Sequence, residues 1–393
     1  MRTRRKLLLG LGLSLGLVLV TDQVIQHVAL ADDVFLGRPV APFDPPLFST
    51  SQIERLERIE RSLALGDPPP ESLRFDADLG WCNPPEGGRG AFRYDWAGAR
   101  IGVAPLARTK PDGVQRLAIY GCSMTHGDEV GAEEAWVAQL DARLDAWEVA
   151  NMGVSAFGLD QALLRLRRDG PALDADEVWL VWMPEASLRI TTLYRPFLRH
   201  WSIDVAFKPR LRRGATGVLE PLPNPARELA DIPRLLRDQA FLLERIGDGD
   251  PWVERARRAY EPRGSSLLHA SGIWRVLATV HEASGRELPG HFVEGHPTRA
   301  LLQAIVEHAA AEAATQGASF RLVVIPGPTD RVDAAQGGAW WEAVCEELVQ
   351  GGVDVHDLTE ALTGGANLYA EHGHLNASGS ALAAEALSSI LAP

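Results

Sequence analysis

Val178-Trp179-Leu180-Val181-Trp182-Met183 is six apolar residues in a row, with neither a charge nor an alternation. A strand that alternates apolar and polar residues covers one face of a sheet, whereas a strand apolar at every position must be covered on both. Leu117–Tyr120 (LAIY), Trp147–Met152 (WEVANM), Phe320–Ile325 (FRLVVI) and Val353–Asp357 (VDVHD) read as four further strands. Glu134–Leu144, Leu159–Arg168, Arg299–Ala314, Trp340–Val349 and Ser378–Leu391 read as helices between and after them. Strands alternating with helices argue an α/β chain with a five-stranded parallel sheet, helices covering both faces.

The alternation begins near residue 116. Residues 31–115 read as an N-terminal extension: a proline-containing linker at 31–50, an amphipathic helix with Ile53, Leu56, Ile59 and Leu63 at helical spacing, a stop at Asp67-Pro68-Pro69-Pro70, then a Gly-, Pro- and aromatic-rich stretch with short strands. After Pro184 the alternation breaks, and residues from about 190 to 298 read as a largely helical insertion into a 116–393 domain. The Arg210, Arg212 and Arg213 cluster within it reads as a solvated face.

Residues 1–30 have the layout of an export address. Arg2, Arg4, Arg5 and Lys6 precede the unbroken apolar run Leu7–Val20. Ala29-Leu30-Ala31 resembles a small-x-small cleavage site, and Val24, Ile25, Val28 and Leu30 would extend the run into an uncleaved signal-anchor. Both readings place the body on the outer side of the cytoplasmic membrane, secreted or tethered through residues 7–30. The chain has 39 basic and 52 acidic residues, a net charge of −13, and the basic cluster at its start makes the remainder more acidic still. Such a body repels phosphate backbones, which excludes nucleic acid as a partner class. Hydrophobic residues at 46% and charged residues at 23% are the composition of a globular chain, not a disordered or polytopic one. Three cysteines, Cys82, Cys122 and Cys345, are too few for a disulfide scaffold.

In open α/β sheets the chemistry sits beyond the carboxyl ends of the strands. The first strand runs into Gly121-Cys122-Ser123-Met124-Thr125-His126-Gly127, where a serine just past a strand is placed as a nucleophile and its own N–H can face an oxyanion. The second ends in Asn151-Met152-Gly153, where a glycine N–H can approach a substrate closely. Glu371-His372-Gly373-His374 before the last helix offers a carboxylate and imidazoles on one loop. A serine hydroxyl needs a base and the base needs an orienting acceptor, and His374 with Glu371 fits those two roles.

These stretches resemble the SGNH/GDSL hydrolases. IYGCSMTHGDEVGAEEAW (119–136) is similar to their first block, which holds the nucleophile; NMGVSAFGLDQ (151–161) to the second, whose glycine donates to the oxyanion; and EHGHLNASG (371–379) to the last, with an acid three residues before the histidine. LGWCNPP (79–85) and LYRPF (193–197) resemble flanking text in membrane-tethered bacterial members. The resemblance covers about residues 116–200 and 299–393. It implies a flavodoxin-like three-layer sandwich and an ester hydrolase or acyltransferase with Ser123 as nucleophile, His374 as base, Glu371 as orienting acid, and Ser123 and Gly153 as oxyanion donors. The implied substrate is a small-molecule or glycan acyl ester, with no cofactor and no metal. Three departures stand out. Cys122 replaces the first-block aspartate, Glu371 replaces an aspartate, and Met183-Pro184-Glu185-Ala186 lacks the third-block asparagine. A carboxylate at Glu185 would repel an oxyanion, so it is expected to turn away or bond elsewhere.

Blander readings stand beside these. Serine is a common helix N-cap, His374 can be a loop histidine, Glu371 a solvated carboxylate, Gly153 a tight turn, and Trp179 and Trp182 core. His126 either lines the pocket or plays no part in it. His372, His374 and Glu371 have the residue types of a metal site, in a spacing that is a weak signal. The rival to an esterase is an impaired relative that binds acylated glycan or an envelope partner.

Overall fold

The structure, a computed structural model, describes residues 2–30, 34–35, 38–40, 50–66, 73–198, 206–214, 216–253, 270–284, 288–363 and 367–391. Most of the 31–50 linker, Ala31 of the cleavage-like triplet and the 67–70 helix stop lie outside them. The chain divides into two compact units. One comprises Met1–Pro69, Tyr194–Asp204 and Ala230–Glu287; the other comprises Pro70–Leu193, Val205–Leu229 and Leu288–Pro393.

The second unit holds the sheet. Its strands are β1 (Gln115–Gly121), β2 (Trp147–Gly153), β3 (Glu177–Trp182), β4 (Ser319–Val324) and β5 (Val355–Asp357). They lie in the order β5-β4-β3-β1-β2, every neighbouring pair parallel. All six residues of β3 are buried, as are six of the seven in β1, so the unalternating VWLVWM stretch is covered on both faces as its composition requires. The covering helices are α1 (Trp136–Asp141), α2 (Leu159–Leu173), α3 (Pro297–Thr315), α4 (Glu342–Gln350) and α5 (Ala377–Ser388). α2 packs on α3, and both pack against β3; α1 packs on β2 and on α5. This is the flavodoxin-like α/β sandwich anticipated from the alternation and the resemblance.

The core is dominated by large side chains whose polar ends are satisfied. Trp81, Trp136, Trp179, Trp182 and Trp341 are all less than 2% exposed. Trp179 Nε1 donates to Glu177 Oε1 and Trp182 Nε1 to Ser187 Oγ, both at 2.8 Å, so each ring buries its apolar area without stranding its N–H. Buried Arg165 on α2 donates to the carbonyls of Met152, Ala97 and Gly98, tying α2 to the end of β2 and to the segment before β1.

The Gly- and aromatic-rich stretch ahead of β1 forms two small antiparallel hairpins, Arg74–Asp76 with Gly80–Cys82 and Gly88–Arg89 with Phe92–Arg93. They serve the sheet. Trp81 Nε1 donates to Ser155 O and Asn83 Nδ2 to Gly153 O, which fixes the chain leaving β2. The Arg210–Arg213 segment departs from the expected solvated face. It is a strand paired with Leu219–Leu222, and Arg210 is buried with Nη1 donating to Thr191 O; only Arg212 and Arg213 are exposed.

In the first unit, the helix Arg2–Val24 continues as a π-helical stretch, Ile25–Ala29. Gly12–Ala29 is long and apolar enough to cross a membrane by length and composition, and Leu13, Leu15, Leu17 and Val20 on it are exposed. The helices Thr50–Leu65 and Asp231–Arg237 pack together, with Arg237 bonded through Nε and Nη2 to the two carboxylate oxygens of Glu60, each at 2.6 Å.

Candidate active site

The strand order reverses between β1 and β3, and that switch point is where open α/β sheets form ligand crevices. Gly121 closes β1, and a Cβ on it would lie 2.2 Å from Thr125 Oγ1 and 3.0 Å from Val181 Cβ. Only a glycine lets the chain turn this tightly into the single helical turn Ser123–His126. Ser123 is its first residue, so the Ser123 N–H has no carbonyl within the turn to bind.

Ser123 Oγ lies 2.8 Å from His374 Nε2, and His374 Nδ1 lies 2.8 Å from Glu129 Oε2. The structure thus brings Ser123 and His374 together as the sequence suggested, across 251 residues of chain. The acid beside the imidazole is Glu129 rather than Glu371, and this corrects the expected orienting residue. The 369–375 segment closes on itself: Tyr369 bridges Leu375, Ala370 N donates to His374 O, and Gly373 N donates to Ala370 O. Glu371 sits at the outer tip of that turn, exposed, and its position three residues before the histidine carries it away from the ring. Glu129 fills the place from the other side. Its Oε1 accepts from His372 N at 2.9 Å and its Oε2 accepts from His374 N at 3.1 Å. Burial pushes the Glu129 carboxyl up, but those two backbone N–H groups and the His374 ring outweigh it and hold the carboxyl below the ordinary glutamate range. An ionised Glu129 can only accept, so His374 Nδ1 carries the hydrogen and Nε2 offers its lone pair to the Ser123 hydroxyl.

Gly153 has a different task from the one expected of it. Its N–H donates to Asn151 Oδ1 at 3.1 Å, and a Cβ there would lie 2.4 Å from His126 N. It is glycine because β2 passes hard against the nucleophile turn, and its N–H is committed inward. Two residues later Val154 N has bonded Gly121 O, and the chain makes a turn in which Ala156 stands at φ 64°. A non-glycine residue in that left-handed region is strained by roughly 1 kcal/mol. Among the described residues no acceptor meets the Ala156 N–H. Ser155 Oγ donates to Asp128 Oδ1 at 2.8 Å and so ties this turn to the nucleophile turn. Ser123 N–H and Ala156 N–H are thus the two backbone donors that this end of the sheet leaves uncommitted.

His126 does not line the site. It is fully buried, its Nε2 3.0 Å from Tyr94 Oη and its Nδ1 2.5 Å from Asp128 Oδ1. Burial lowers its pKa against the pull of Asp128. Burial likewise pushes Asp128 up, yet the His126 hydrogen bond and charge prevail and hold it at about 2. Arg100 donates to the carbonyls of His126, Gly127 and Val130, so the backbone leading from Ser123 to Glu129 is held from below. All three cysteines are free and buried; Cys122 packs in the core beside the nucleophile.

Where the resemblance implies an asparagine after β3, Glu185 turns toward Gly327: a Cβ on Gly327 would lie 2.5 Å from the Glu185 carboxyl. Buried Asp330 accepts through Oδ2 from Gly327 N at 2.9 Å and Glu185 N at 3.0 Å, pinning the loops after β4 and β3 together. Burial, with Glu185 adding to it, pushes Asp330 up to about 7, against the pull of those N–H groups. Among the described residues no cluster of three or more His, Cys, Asp or Glu side chains has the geometry to hold a metal ion.

No family model matches the chain, and no curated protein matches it. Among solved structures it is similar to a protein of the G-D-S-L lipolytic family from Desulfitobacterium hafniense DCB-2, at 12% identity over 70% of this chain and 99% of that one, with a TM-score of 0.34. It is similar to an acetyl xylan esterase at 11% identity over 70% and 100%, TM-score 0.35. A lipolytic G-D-S-L protein from Veillonella parvula DSM 2008 aligns at 13% identity over 71% and 98%, TM-score 0.32.

Two outcomes follow from the geometry. Glu129→Gln places an amide N–H₂ against one of three N–H donors, so it is expected to lower kcat/KM on an aryl ester by about 100-fold or more, while Glu371→Gln changes it less than threefold. Equal losses would return the acid role to the 371–374 loop. Asp330 has a folded pKa above its unfolded value of about 3.9, so the native state binds the extra proton and stability falls as pH rises from about 4 to about 7. Asp330→Asn keeps an oxygen acceptor for the two N–H groups but carries no charge. Its stability relative to wild type should improve by on the order of 2 kcal/mol between pH 4 and pH 8 in urea unfolding; a difference that does not change with pH refutes the buried-carboxyl account.

Proposed function

We propose that the chain is a serine ester hydrolase or acyltransferase in which Ser123 attacks, His374 carries the proton and Glu129 orients the imidazole. The observation that carries this is the unbroken chain of two 2.8 Å contacts from Ser123 Oγ through His374 to Glu129. As Oγ adds to the acyl carbon, its proton passes to His374 Nε2, and the carbonyl electron pair moves onto the oxygen. The N–H groups of Ser123 and Ala156 face the developing oxyanion. Collapse breaks the bond to the alcohol, which leaves with the proton from Nε2. Water or a second alcohol then gives its proton to Nε2, attacks the acyl-Ser123, and releases the serine. Throughout, Glu129 stabilises the imidazolium that forms in each half. The SGNH-like blocks on which Ser123 and His374 stand support the same reading.

The body is placed at the cell envelope by the N-terminal helix, read here as a retained anchor. Asp22 Oδ1 accepts from Ser271 Oγ at 2.6 Å and from Ile273 N at 2.9 Å, capping the helix Gly272–Ser284. A Cβ on Gly272 would lie 2.5 Å from Gln26 N, so the two helices approach at backbone distance. Trp274, Leu277 and Val280 are exposed on that helix and extend the apolar surface of the anchor. A leader cut off after residue 31 would take these contacts with it.

Purified full-length protein in detergent should be labelled by a fluorophosphonate probe and hydrolyse a short aryl ester, with both lost in Ser123→Ala. Wild type that does neither defeats the enzyme reading and favours the acyl-glycan-binding relative. For the anchor, the protein from envelope fractions should resist alkaline carbonate extraction and retain the residues before Asp22; a soluble form beginning near Asp32 would show cleavage instead.

A further inference from the structure

A narrow cleft opens between the carboxyl ends of β1 and β3, at the switch point of the sheet. Gly121 and Cys122, the two residues immediately before Ser123, form one wall. Phe157 and Leu159, just after the Ala156 turn, form the second, and Val181, Met183 and Ala186 the third. It contains about 10 Å³ of space for the centre of a water-sized sphere, roughly what one water molecule or one small group fills. A larger cavity of about 90 Å³, bordered by Asp95, Arg100, Asp141 and Asn151, has none of Ser123, His374 or Glu129 in its lining.

The walls of the small cleft are apolar, and the polar groups among them are already spent. Trp182 Nε1 donates to Ser187 Oγ, Ser187 Oγ donates to Pro184 O at 2.7 Å, and Gly158 N donates to Gln161 Oε1 at 3.0 Å. A hydroxylated or charged acyl chain would find no partner there. The walls also have little room to yield. Phe157 and Val181 are 1% exposed and Met183 5%, and Phe157 O is held by Arg189 Nη1 at 3.1 Å. Close-packed side chains backed by buried neighbours resist an extra methylene.

We propose that this cleft is the acyl pocket and that it admits an acetyl group and little more, so that the substrate class is acetate esters. The inference rests on Ser123 acting as the nucleophile. The methyl of the acetyl group enters the cleft while the carbonyl oxygen turns to the Ser123 and Ala156 N–H groups. The Ser123 Oγ–carbon bond forms and the carbon–alkoxide bond breaks, the alcohol portion staying outside the cleft.

The test is a series of p-nitrophenyl esters, acetate to octanoate, with the full-length protein in detergent, alongside fluorophosphonate labelling. One methylene in a packed apolar pocket is worth about 10- to 200-fold, so kcat/KM should fall at least 100-fold from acetate to hexanoate. Leu159→Ala should move the optimum to butyrate or longer. Ala186→Val, at a half-exposed position, should cut acetate turnover tenfold or more while leaving the thermal midpoint within a few degrees, which keeps the test decisive if Leu159→Ala does not fold. Ser123-dependent turnover of hexanoate within threefold of acetate overturns the pocket and leaves the nucleophile standing. Absence of both labelling and turnover of any ester overturns the nucleophile, and the pocket with it.

Discussion

The arrangement at the sheet's end depends on one carboxylate receiving three N–H groups. Glu129 accepts from His372 N, His374 N and the His374 ring, and it stands six residues after Ser123 on the same turn. One interaction therefore fixes the imidazole's tautomer, its orientation and the docking of the segment that carries it. A loop hydrogen-bonded only to itself would leave His374 free to swing away from Ser123 Oγ. A charge-assisted contact that includes two backbone donors is stronger than a neutral pair and holds the loop as well as the ring.

That interaction works only if the turn bearing Glu129 is itself immobile, and the structure spends buried polar groups on this. Arg100 collects three carbonyls along residues 126–130, His126 is wedged between Tyr94 and Asp128, and Asn151 Nδ2 donates to Thr125 O at 3.0 Å. Fully satisfied, such a network specifies a single conformation; with one member missing it would leave several buried groups unpaired. Gly153 belongs to it. Its missing side chain lets β2 reach His126 N, and its N–H closes a local bond to Asn151. The Ser123-to-Glu129 segment is a rigid unit laid across the ends of β1 and β2.

The fold was legible because burial on both faces leaves a mark in composition: VWLVWM has no other economical explanation, and the strand-helix alternation around it gives the parallel order. Ser123 and His374 were legible because each stands in a short block with its own local signature. The acid was not, because a residue's distance from its partner in sequence says nothing about which side of a ring it reaches. Glu371 and Glu129 are both carboxylates near the right blocks. What separates them is the tight turn at 370–374, with Gly373 at φ 88°, which throws Glu371 outward. The one available signal was the Asp128-Glu129 pair directly after the nucleophile block, two acids where one would cap the turn. Arg210 was misread for a related reason: an arginine cluster reads as solvated unless the carbonyl that receives it is known.

The loss of an asparagine after β3 and the presence of Asp330 belong to one design. With Asp330 accepting from Glu185 N and Gly327 N, the loops after β3 and β4 are fastened to each other, and Glu185 lies against Gly327. The cost is a buried carboxyl whose burial favours its neutral form; the return is a fixed Met183–Ala186 segment, the third wall of the cleft. A side-chain donor here would have served an oxyanion, whereas a fastened apolar wall serves the shape of the acyl group. Charge stabilisation then falls on backbone N–H groups at the start of the Ser123 turn and at the strained Ala156. Donors of that kind need no reorganisation as charge develops, so the site trades the number of its donors for their rigidity and for a pocket that selects by size.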